Sequence, residues 1–272
     1  MARNIVVIGG ALGGPVAAAR ARGFDETARI TLLERLPSVS WVQADLRYHL
    51  EGKVQRLDEL DQERENFFER RHRIEVRTSV EALSLDVDAR RVLVRDVESG
   101  STERLPFDAV IFSGGAQVTW PNIPGLDGRA EGCTGFRNWN DLQGIRDAMA
   151  AGAKRAVVLG CGHNGLDAAE GLLAAGFDVT VVERGGRILP TLSVPASLAA
   201  AHALRARGVN LRLREAVTSV EVLPQGRRVL TLASGGKLEA DLVVVCTGMA
   251  PRTRLLAEAG ASLNPDGSVR TD

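Results

Sequence analysis

Residues 5–14 read IVVIGGALGG, a short apolar run that enters a glycine-rich loop. A helical pattern rich in Ala and Arg follows from Val16 to Arg22, and a second apolar run over residues 29–33 ends in Glu34. Glycines in a tight turn between a strand and a helix let a pyrophosphate approach backbone N–H groups, and a carboxylate after the next strand can bind ribose hydroxyls. The stretch therefore predicts a strand, a phosphate-binding turn, a helix and a second strand.

The same order of segments returns in the second half of the chain. Residues 156–165 read AVVLGCGHNG, a helical pattern follows, and residues 178–183 read DVTVVE and end in Glu183. The second loop has the full glycine pattern, whereas the first has Ala11 at the middle position. One such loop could be a tight turn without a ligand. Two copies in the same context indicate that the chain binds two dinucleotides or is built from parts that did.

The residue at the end of the second copy bears on the choice of nicotinamide nucleotide. A carboxylate such as Glu183 accepts a hydrogen bond from a free 2′-hydroxyl and repels a 2′-phosphate, which favours NAD over NADP. Arg184 and Arg187 follow closely in the sequence and could weaken that preference.

Continuous apolar strands alternating with helices predict the α/β fold class. We expect two Rossmann-like three-layer domains, with parallel sheets that carry helices on both faces and with small antiparallel strand insertions. Short alternating strands are predicted over 74–76, 80–85 and 91–97, and a solvent-facing helix over 57–71. A crossing rich in Pro and Gly, residues 120–125, separates the two copies.

Composition excludes several other classes of protein. The 34 basic residues balance the 34 acidic ones, which argues against nucleic acid or an anionic membrane as a partner. No apolar run approaches the length of a membrane span, and the N-terminal apolar run is too short for a signal peptide. Three widely separated cysteines and scattered histidines fit neither a disulfide framework nor a metal site. We therefore expect a cytoplasmic protein without a bound metal.

Several motifs resemble the two-dinucleotide-binding-domain flavoproteins, the pyridine nucleotide-disulfide oxidoreductase family. Besides the two loops, these motifs are residues 113–116 (SGGA), 247–251 (TGMAP) and 123–125 (IPG). The segment 40–50 (SWVQADLRYHL) is most similar to the branch of coenzyme A-disulfide reductases and NADH oxidases. The resemblance covers the chain from Ile5 to its end.

The resemblance implies the residues that bind each cofactor. On the FAD side they are Gly9, Ala11, Gly14, Glu34, Arg35, Ala82, Ser113, Gly114 and Gly115. On the NAD(P)H side they are Gly160, Gly162, Gly165, Glu183 and Gly248.

Other positions acquire roles from the same resemblance. His163 falls where the group often has an aromatic residue that gates the nicotinamide, and Asp167 falls where it has a Glu beside the nicotinamide; these two are the catalytic candidates. Arg22 and Ser40 match positions that contact coenzyme A in the disulfide reductases. Tyr48 and His49 either assist proton transfer or only pack.

Three departures from the family pattern limit what the resemblance implies. Ala44 stands where the disulfide reductases keep their redox Cys, and a disulfide reductase needs a thiolate. Gly114 replaces a usual Thr, which we expect to loosen a turn. The sequence ends at Asp272, before the segment whose Asp grips FAD and before the dimerisation domain of the family, so the C-terminal part of the FAD domain is expected to be missing.

The expected function is that of an FAD-dependent NAD(P)H oxidoreductase. A discontinuous FAD-binding domain is predicted over 1–119 and 249–272, and an NAD(P)-binding domain over 120–248. Hydride would pass from NADH to the flavin, and electrons would then reach oxygen, a quinone or a carrier protein. The alternative is a non-catalytic nucleotide-binding remnant, or one half of an enzyme completed by another chain. A homodimer is also possible as an assembly, although we expect the family's dimerisation domain to be missing.

Overall fold

The computed structural model describes residues 2–54, 65–126 and 132–271. The strands in this part of the chain are β1 (Asn4–Ile8), β2 (Arg29–Leu33), β3 (Ile74–Arg77), β4 (Val80–Asp86), β5 (Arg91–Asp96), β6 (Thr102–Pro106), β7 (Ala109–Phe112), β8 (Ala116–Val118), β9 (Cys133–Thr134), β10 (Arg155–Leu159), β11 (Asp178–Glu183), β12 (Asn210–Leu213), β13 (Val217–Val222), β14 (Arg228–Leu232), β15 (Lys237–Ala240), β16 (Leu242–Val245) and β17 (Met249–Pro251). The helices are α1 (Gly13–Phe24), α2 (Asp45–Leu50), α3 (Glu65–His72), α4 (Trp139–Ala150), α5 (His163–Ala174), α6 (Val194–Ala206) and α7 (Arg254–Glu258).

The chain forms two compact units. The first contains Met1–Val42, Arg56–Gln117 and Ala250–Asp272, and the second contains Gln43–Gln55 and Val118–Met249. That the first unit binds FAD and the second NAD(P) stays a prediction. None of the helices in the described ranges is long and apolar enough to cross a membrane.

The first unit is built on a parallel sheet in the order β3-β2-β1-β7. Alternate residues of β1 point to opposite faces of the sheet. Val7 packs with Ala18 of α1 and Phe68 of α3, whereas Val6 and Ile8 pack with residues of β4 and β5. Helices therefore cover one face of this sheet, and the antiparallel sheet β4-β5-β6 covers the other.

The second unit repeats this arrangement around a parallel sheet in the order β12-β11-β10-β16-β9. Helix α5 packs on β10 and β11. Val157 and Leu159 of β10 pack with Val220 and Leu230 of the antiparallel sheet β13-β14-β15. The prediction of two α/β units with parallel sheets and antiparallel insertions is confirmed. The expectation of helices on both faces is wrong for the described residues, because in each unit the antiparallel insertion packs on one face of the parallel sheet in place of a second helical layer.

The boundaries of most elements agree with the sequence patterns. Strands β3, β4 and β5 lie where alternating strands are predicted. The helix predicted over 57–71 is described only from Glu65 onward, and its earlier part lies outside the described residues. Phe68 of this helix is buried, so one side of α3 packs on the core while the charged side remains exposed.

Candidate functional site

The first glycine loop connects β1 to α1 and requires glycine at both outer positions. Gly9 has a φ of +107°, and a Cβ there would overlap the carbonyl oxygen of Ser113. A Cβ on Gly14 would overlap the carbonyl oxygen of Gly9 and approach Leu32 Cδ1 to 3.4 Å. The backbones of the loop, the helix and β7 therefore approach more closely than any other residue type would permit.

The carboxylate of Glu34, directly after β2, is hydrogen-bonded to this loop. Glu34 is 6% exposed, and its Oε2 accepts a 2.6 Å hydrogen bond from the backbone N–H of Gly10. Its Oε1 accepts a 2.9 Å hydrogen bond from the backbone N–H of Leu36. The buried charge is thus stabilised by two backbone donors, and the remaining lone pairs are available to a hydroxyl.

The second glycine loop, between β10 and α5, has the same construction with one difference. A Cβ on Gly160, whose φ is +90°, would lie 2.6 Å from the carbonyl oxygen of Cys246, and a Cβ on Gly165 would overlap the carbonyl oxygen of Gly160. At Gly162, however, a Cβ would meet no atom within 4 Å. Packing does not demand glycine at this position. Open space in front of the loop is what a pyrophosphate would need.

The carboxylate that ends β11 repeats the geometry of Glu34. Glu183 Oε2 accepts a 2.9 Å hydrogen bond from the backbone N–H of Cys161, and its Oε1 accepts a 2.6 Å hydrogen bond from the backbone N–H of Gly185. In both copies one oxygen binds the N–H directly after the first loop glycine, and the other binds the N–H two residues beyond the carboxylate. The N-terminal turns of α1 and α5 have no side-chain cap, so backbone N–H groups remain free for an anion.

The turn after β7 differs from the expectation for Gly114. A Cβ there would lie 2.9 Å from Phe112 Cε1 and 3.1 Å from the carbonyl oxygen of Arg252. The ring of Phe112 therefore fills the space that a threonine side chain would take, and the turn is packed rather than loosened. Ser113 lies beside the first loop, because a Cβ on Gly13 would lie 2.6 Å from its hydroxyl oxygen.

The other residues predicted on the FAD side lie in the same unit. Ala11 and Arg35 are half-buried, Ala82 lies in β4, and Gly115 is exposed with a φ of +67°. On the other side, Gly248 follows β16 and is exposed with a φ of +132°. These positions agree with a role in binding, but the role stays a prediction.

The two catalytic candidates share one side of α5. His163 is the exposed first residue of the helix, and Asp167 follows one turn later. Burial raises the pKa of Asp167, and the nearby positive charge of Arg47 opposes this shift. Arg47 Nη1 lies 3.6 Å from Asp167 Oδ1 and 2.6 Å from Glu170 Oε2. Arg47 was not predicted, because no local pattern relates α2 to α5.

Helix α2 packs closely on α5 within the second unit. A Cβ on Gly171 would lie 3.1 Å from Leu50 Cδ1 and 3.4 Å from Arg47 Cγ, so a glycine permits this approach. Ala44, at the position of the family's redox Cys, is the exposed residue directly before α2. Arg47 and Glu51 form a 3.0 Å ion pair along the helix. His49 is buried, and burial lowers the pKa of its imidazole, which favours the neutral form.

The three cysteines are not placed to replace a redox thiol. Cys133 and Cys161 are buried, and Cys246 is half-buried directly after β16. Burial raises the pKa of Cys161 to about 12 and the pKa of Cys246 to about 12. At neutral pH these two are thiols rather than thiolates, and a thiol is a poor nucleophile.

Arg22 has a structural role that the family resemblance did not indicate. It is 8% exposed, and all three of its guanidinium nitrogens donate hydrogen bonds to backbone carbonyls. The acceptors are the carbonyl oxygens of Asp25, Glu26, Ala28, His72 and Arg73, at 2.7 to 3.1 Å. The expectation that this side chain contacts coenzyme A does not fit its geometry, because the guanidinium is already committed. Ser40, the other such position, is 5% exposed.

Known proteins are similar to this chain in sequence and in fold. The family model described as pyridine nucleotide-disulphide oxidoreductase matches residues 3–272. An NADH oxidase from Enterococcus faecalis is 28% identical over 271 residues, which are 99% of this chain and 59% of that protein. A rubredoxin-NAD(+) reductase from Alcanivorax borkumensis is 34% identical over 205 residues, which are 73% of this chain and 51% of that protein.

A solved structure extends the comparison to three dimensions. The water-forming NADH oxidase from Lactobacillus brevis, bound to NADH, is 26% identical and matches with a TM-score of 0.89. The match covers 100% of this chain and 59% of that one. The chain therefore spans less than two thirds of the length of these relatives.

Proposed function

Because the chain belongs to the pyridine nucleotide-disulphide oxidoreductase family, whose members are FAD-dependent and use NAD(P)H, we propose that it provides both nucleotide sites of such an oxidoreductase. FAD binds to the first glycine loop and NADH to the second. With both nucleotides held there, the flavin would supply acceptance of the NADH hydride and delivery of its electrons to an acceptor other than a disulfide.

One observation carries this proposal. Two carboxylates, Glu34 and Glu183, lie at the ends of equivalent strands. Each accepts hydrogen bonds from an equivalent pair of backbone N–H groups, one in its glycine loop and one two residues beyond the carboxylate. A strand-to-helix turn can form without such a carboxyl group, so its recurrence in both copies favours a ligand beside each loop. Ribose hydroxyls are the natural partners of the lone pairs that remain.

The loops also fit the phosphate groups of the two cofactors. Gly162 leaves open space in front of the uncapped first turn of α5. The first loop has the half-buried methyl group of Ala11 at the matching position, in front of the uncapped first turn of α1. Backbone N–H groups and the positive end of each helix would bind the pyrophosphates there.

When bound, FAD supplies the redox chemistry, namely acceptance of the nicotinamide hydride and release of electrons to the next acceptor. The protein binds and orients the two nucleotides and shields the reacting atoms from solvent. Asp167 of α5, paired with Arg47 of α2, provides a carboxylate one helical turn beyond His163. Since burial raises its pKa, this carboxyl group takes up a proton more readily than an ordinary aspartate.

The proposed class of electron acceptor rests on the residue directly before α2, where this chain has Ala44 instead of a cysteine. With Ala44 at the position of the redox Cys and with the thiols of Cys161 and Cys246 protonated at neutral pH, a cysteine relay is not part of the proposal. Oxygen, a quinone or a small electron-carrier protein would accept electrons directly. The names of the relatives, an NADH oxidase and a rubredoxin-NAD(+) reductase, agree with acceptors of this kind.

The visible spectrum of the purified protein tests the proposal. A flavin spectrum that bleaches on anaerobic addition of NADH, and returns with oxygen, a quinone or a carrier protein, is the expected result. A colourless protein that cannot be loaded with FAD but still binds NADH would contradict it.

The second outcome would favour the alternative function, a nucleotide-binding protein that either has no catalytic role or completes its site with another chain. The observation that favours this alternative is Ala44, because it replaces the reactive cysteine of the family pattern. Reconstitution of flavin binding by a second polypeptide would separate these two forms of the alternative.

A further inference from the structure

The second unit contains a cavity of about 540 Å³ away from its glycine loop. Its walls include Asp147 of α4, Arg228 of β14 and Asp241, which directly precedes β16. The cavity therefore lies near the amino end of β16. The glycine loop and Glu183 lie at the carboxyl ends of β10 and β11, which are parallel to β16 in the same sheet. Since parallel strands share the edge at which they end, the cavity and the predicted nucleotide position belong to opposite edges of the sheet.

The guanidinium of Arg228, in the wall of this cavity, has one edge without a partner. The residue is 4% exposed, and its Nη1 donates to the carbonyl oxygens of Gly226 at 2.7 Å and Asp241 at 3.2 Å. Its Nε is buried without a hydrogen bond, and no hydrogen bond joins its Nη2 to a described residue. Nε and Nη2 form the edge of a guanidinium that binds a carboxylate through two parallel hydrogen bonds.

The positive charge of Arg228 also lacks an anion. No ion pair joins it to a carboxylate among the residues that the structure describes. Asp241 Oδ1 lies 2.9 Å from Arg155 Nη2, and the hydrogen bonds from Arg155 lower the pKa of Asp241 to about 2. Glu239 Oε2 lies 2.5 Å from Arg155 Nη1 and 3.3 Å from Arg227 Nη1. Both carboxylates thus pair with other arginines, and a buried cation without an anion is costly to the fold.

The backbone at Gly132 fixes the position of this guanidinium. Gly132 has a φ of +70°, and a Cβ there would overlap Arg228 Nη1 and lie 2.7 Å from its Nη2. The absence of a side chain therefore lets the guanidinium rest against the backbone of Gly132, which is itself part of the cavity wall. A donor held in place by packing needs little reorganisation when a ligand arrives.

The remaining walls supply groups of other kinds. Asp147 and Asn140 are exposed on α4, and Asp147 Oδ1 accepts a 2.8 Å hydrogen bond from the side chain of Gln143. The oxygens of Asp147 and Asn140 are acceptors for a hydroxyl or an amine. The half-buried indole of Trp120 offers an apolar surface to a flat ligand. A cavity of this size with a few polar groups of complementary kinds is typical of small-molecule sites.

We infer that this cavity binds a small carboxylic acid whose carboxylate pairs with the Nε–Nη2 edge of Arg228. A hydroxyl or amine at the other end of the ligand donates to Asp147 on α4. The site is separate from both glycine loops. The inference therefore goes beyond the proposed oxidoreductase function and does not depend on it.

Three aromatic probes, observed by saturation-transfer NMR with the purified full chain, test each feature of the site. We expect 4-hydroxybenzoate to bind, and 4-hydroxybenzyl alcohol to bind about tenfold more weakly or less, because it lacks the carboxylate for Arg228. Benzoate should bind about three- to tenfold more weakly than 4-hydroxybenzoate, because it has no donor for Asp147. An excess of ADP-ribose, a ligand for the second glycine loop, should not displace 4-hydroxybenzoate.

Arg228→Met keeps the apolar stem and removes the guanidinium. It should weaken binding of 4-hydroxybenzoate about tenfold and leave 4-hydroxybenzyl alcohol within about twofold. Arg212→Met is the matched control, since Arg212 is exposed on β12, at the opposite end of the strand order from β9, and should change neither affinity.

A second variant tests the site without touching the buried charge. Ala148 is a half-buried residue of α4 in the cavity wall, so Ala148→Leu should fill the cavity and abolish binding of 4-hydroxybenzoate. Ala150→Leu is its control, because Ala150 is exposed on the same helix outside the cavity wall. Melting temperatures of all four variants show which of them fold.

Several outcomes would overturn the inference and leave the proposed nucleotide sites intact. They are no binding of 4-hydroxybenzoate, equal affinities for this acid and for the alcohol, and unchanged binding of the acid by a folded Arg228→Met or Ala148→Leu. Displacement by ADP-ribose would show that the probe occupies the nucleotide site and would remove the case for a separate one. Equal affinities for benzoate and 4-hydroxybenzoate would overturn the assignment of the donor end to Asp147.

Discussion

Glu34 Oε2 lies 2.6 Å from the backbone nitrogen of Gly10, so the carboxylate at the end of β2 closes the glycine loop at the end of β1. The same relationship joins Glu183 and Cys161 at 2.9 Å in the second unit. Each carboxylate therefore stabilises the conformation of the loop and presents its remaining lone pairs at the edge of the sheet. The two functions are coupled, because a loop held in shape needs no reorganisation when a pyrophosphate arrives.

Glu34→Ala and Glu183→Ala should separate the two nucleotides. Each substitution removes charge-assisted hydrogen bonds worth about 1.5–3 kcal/mol, which corresponds to roughly 10- to 100-fold weaker binding. Glu34→Ala is expected to lower the flavin content of the purified protein without changing the affinity for NADH. Glu183→Ala is expected to weaken NADH binding and leave the flavin content unchanged. Absorbance near the flavin maximum and calorimetric titration with NADH measure the two effects.

Each variant serves as the control for the other. Loss of both nucleotides in both variants, with a lowered melting temperature, would show that the carboxylates only support the fold. Loss of flavin in Glu183→Ala alone would reverse the assignment of the two loops.

Gly162→Ala and Gly165→Ala should behave differently although they lie in one loop. A Cβ on Gly165 overlaps the carbonyl oxygen of Gly160, so this variant should lose about 1–3 kcal/mol of folding free energy through overpacking. A Cβ on Gly162 meets no atom within 4 Å, and its φ of −76° suits any residue, so this variant should unfold like the wild type. Its NADH affinity should nevertheless fall about tenfold, because the methyl group takes the space of the phosphate.

Chemical unfolding and NADH titration of both variants check this contrast. Normal NADH binding by Gly162→Ala would mean that the open space at that glycine is not where the nucleotide lies. Ala11 places a methyl group at the matching position of the first loop, which is proposed to bind FAD, so the methyl group should weaken pyrophosphate binding rather than abolish it.

The parts of the fold that depend on local pattern could be predicted from the sequence. A strand, a glycine loop, a helix and a carboxylate follow one another within a short stretch, so their order alone indicates the unit around Gly9 and the unit around Gly160. Helix α4 was not assigned, although the capping box of Asn138 and Asp141 marks its start.

The rest depends on contacts between residues that are far apart in the chain. The approach of Arg47 to Glu170 requires α2 to pack on α5, and the place of Arg214 beside Gly185 follows from the register of β12. Gly114 looked like a loosened turn because the ring of Phe112 that fills it could not be located from the sequence. The packing of distant segments decided the first two cases, and the placement of the Phe112 ring, two residues before Gly114, decided the third.

Arg22→Met should destabilise the first unit without involving any ligand. The substitution keeps the apolar stem but removes a guanidinium that donates to five backbone carbonyls. The carbonyl of Ala28 would lose its partner in a buried environment and the other acceptors in partly buried ones, so we expect a loss of about 3 kcal/mol in the free energy of unfolding, measured in urea. Arg20→Ala is the control on the same helix; its guanidinium is exposed 4.8 Å above the ring of Phe24, and its removal should cost less than about 1 kcal/mol. Equal stability of Arg22→Met and the wild type would contradict the structural role and reopen a role in ligand binding.

Ala44→Cys should create the one rapidly reacting thiol of the folded protein. Ala44 is exposed directly before α2, so a cysteine there should ionise near the ordinary thiol pKa of about 8.5 and react with a disulfide reagent at pH 8 within minutes. The pKa values of Cys161 and Cys246 are raised to about 12 by burial, so they should stay unreactive until the chain unfolds, as should the buried Cys133. Titration with an aromatic disulfide should therefore count no fast thiol in the wild type and one in the variant, and denaturant should expose three more in each. A fast thiol in the native wild type would show that one of its own cysteines is accessible as a thiolate, and a cysteine relay would then have to be restored to the proposed mechanism.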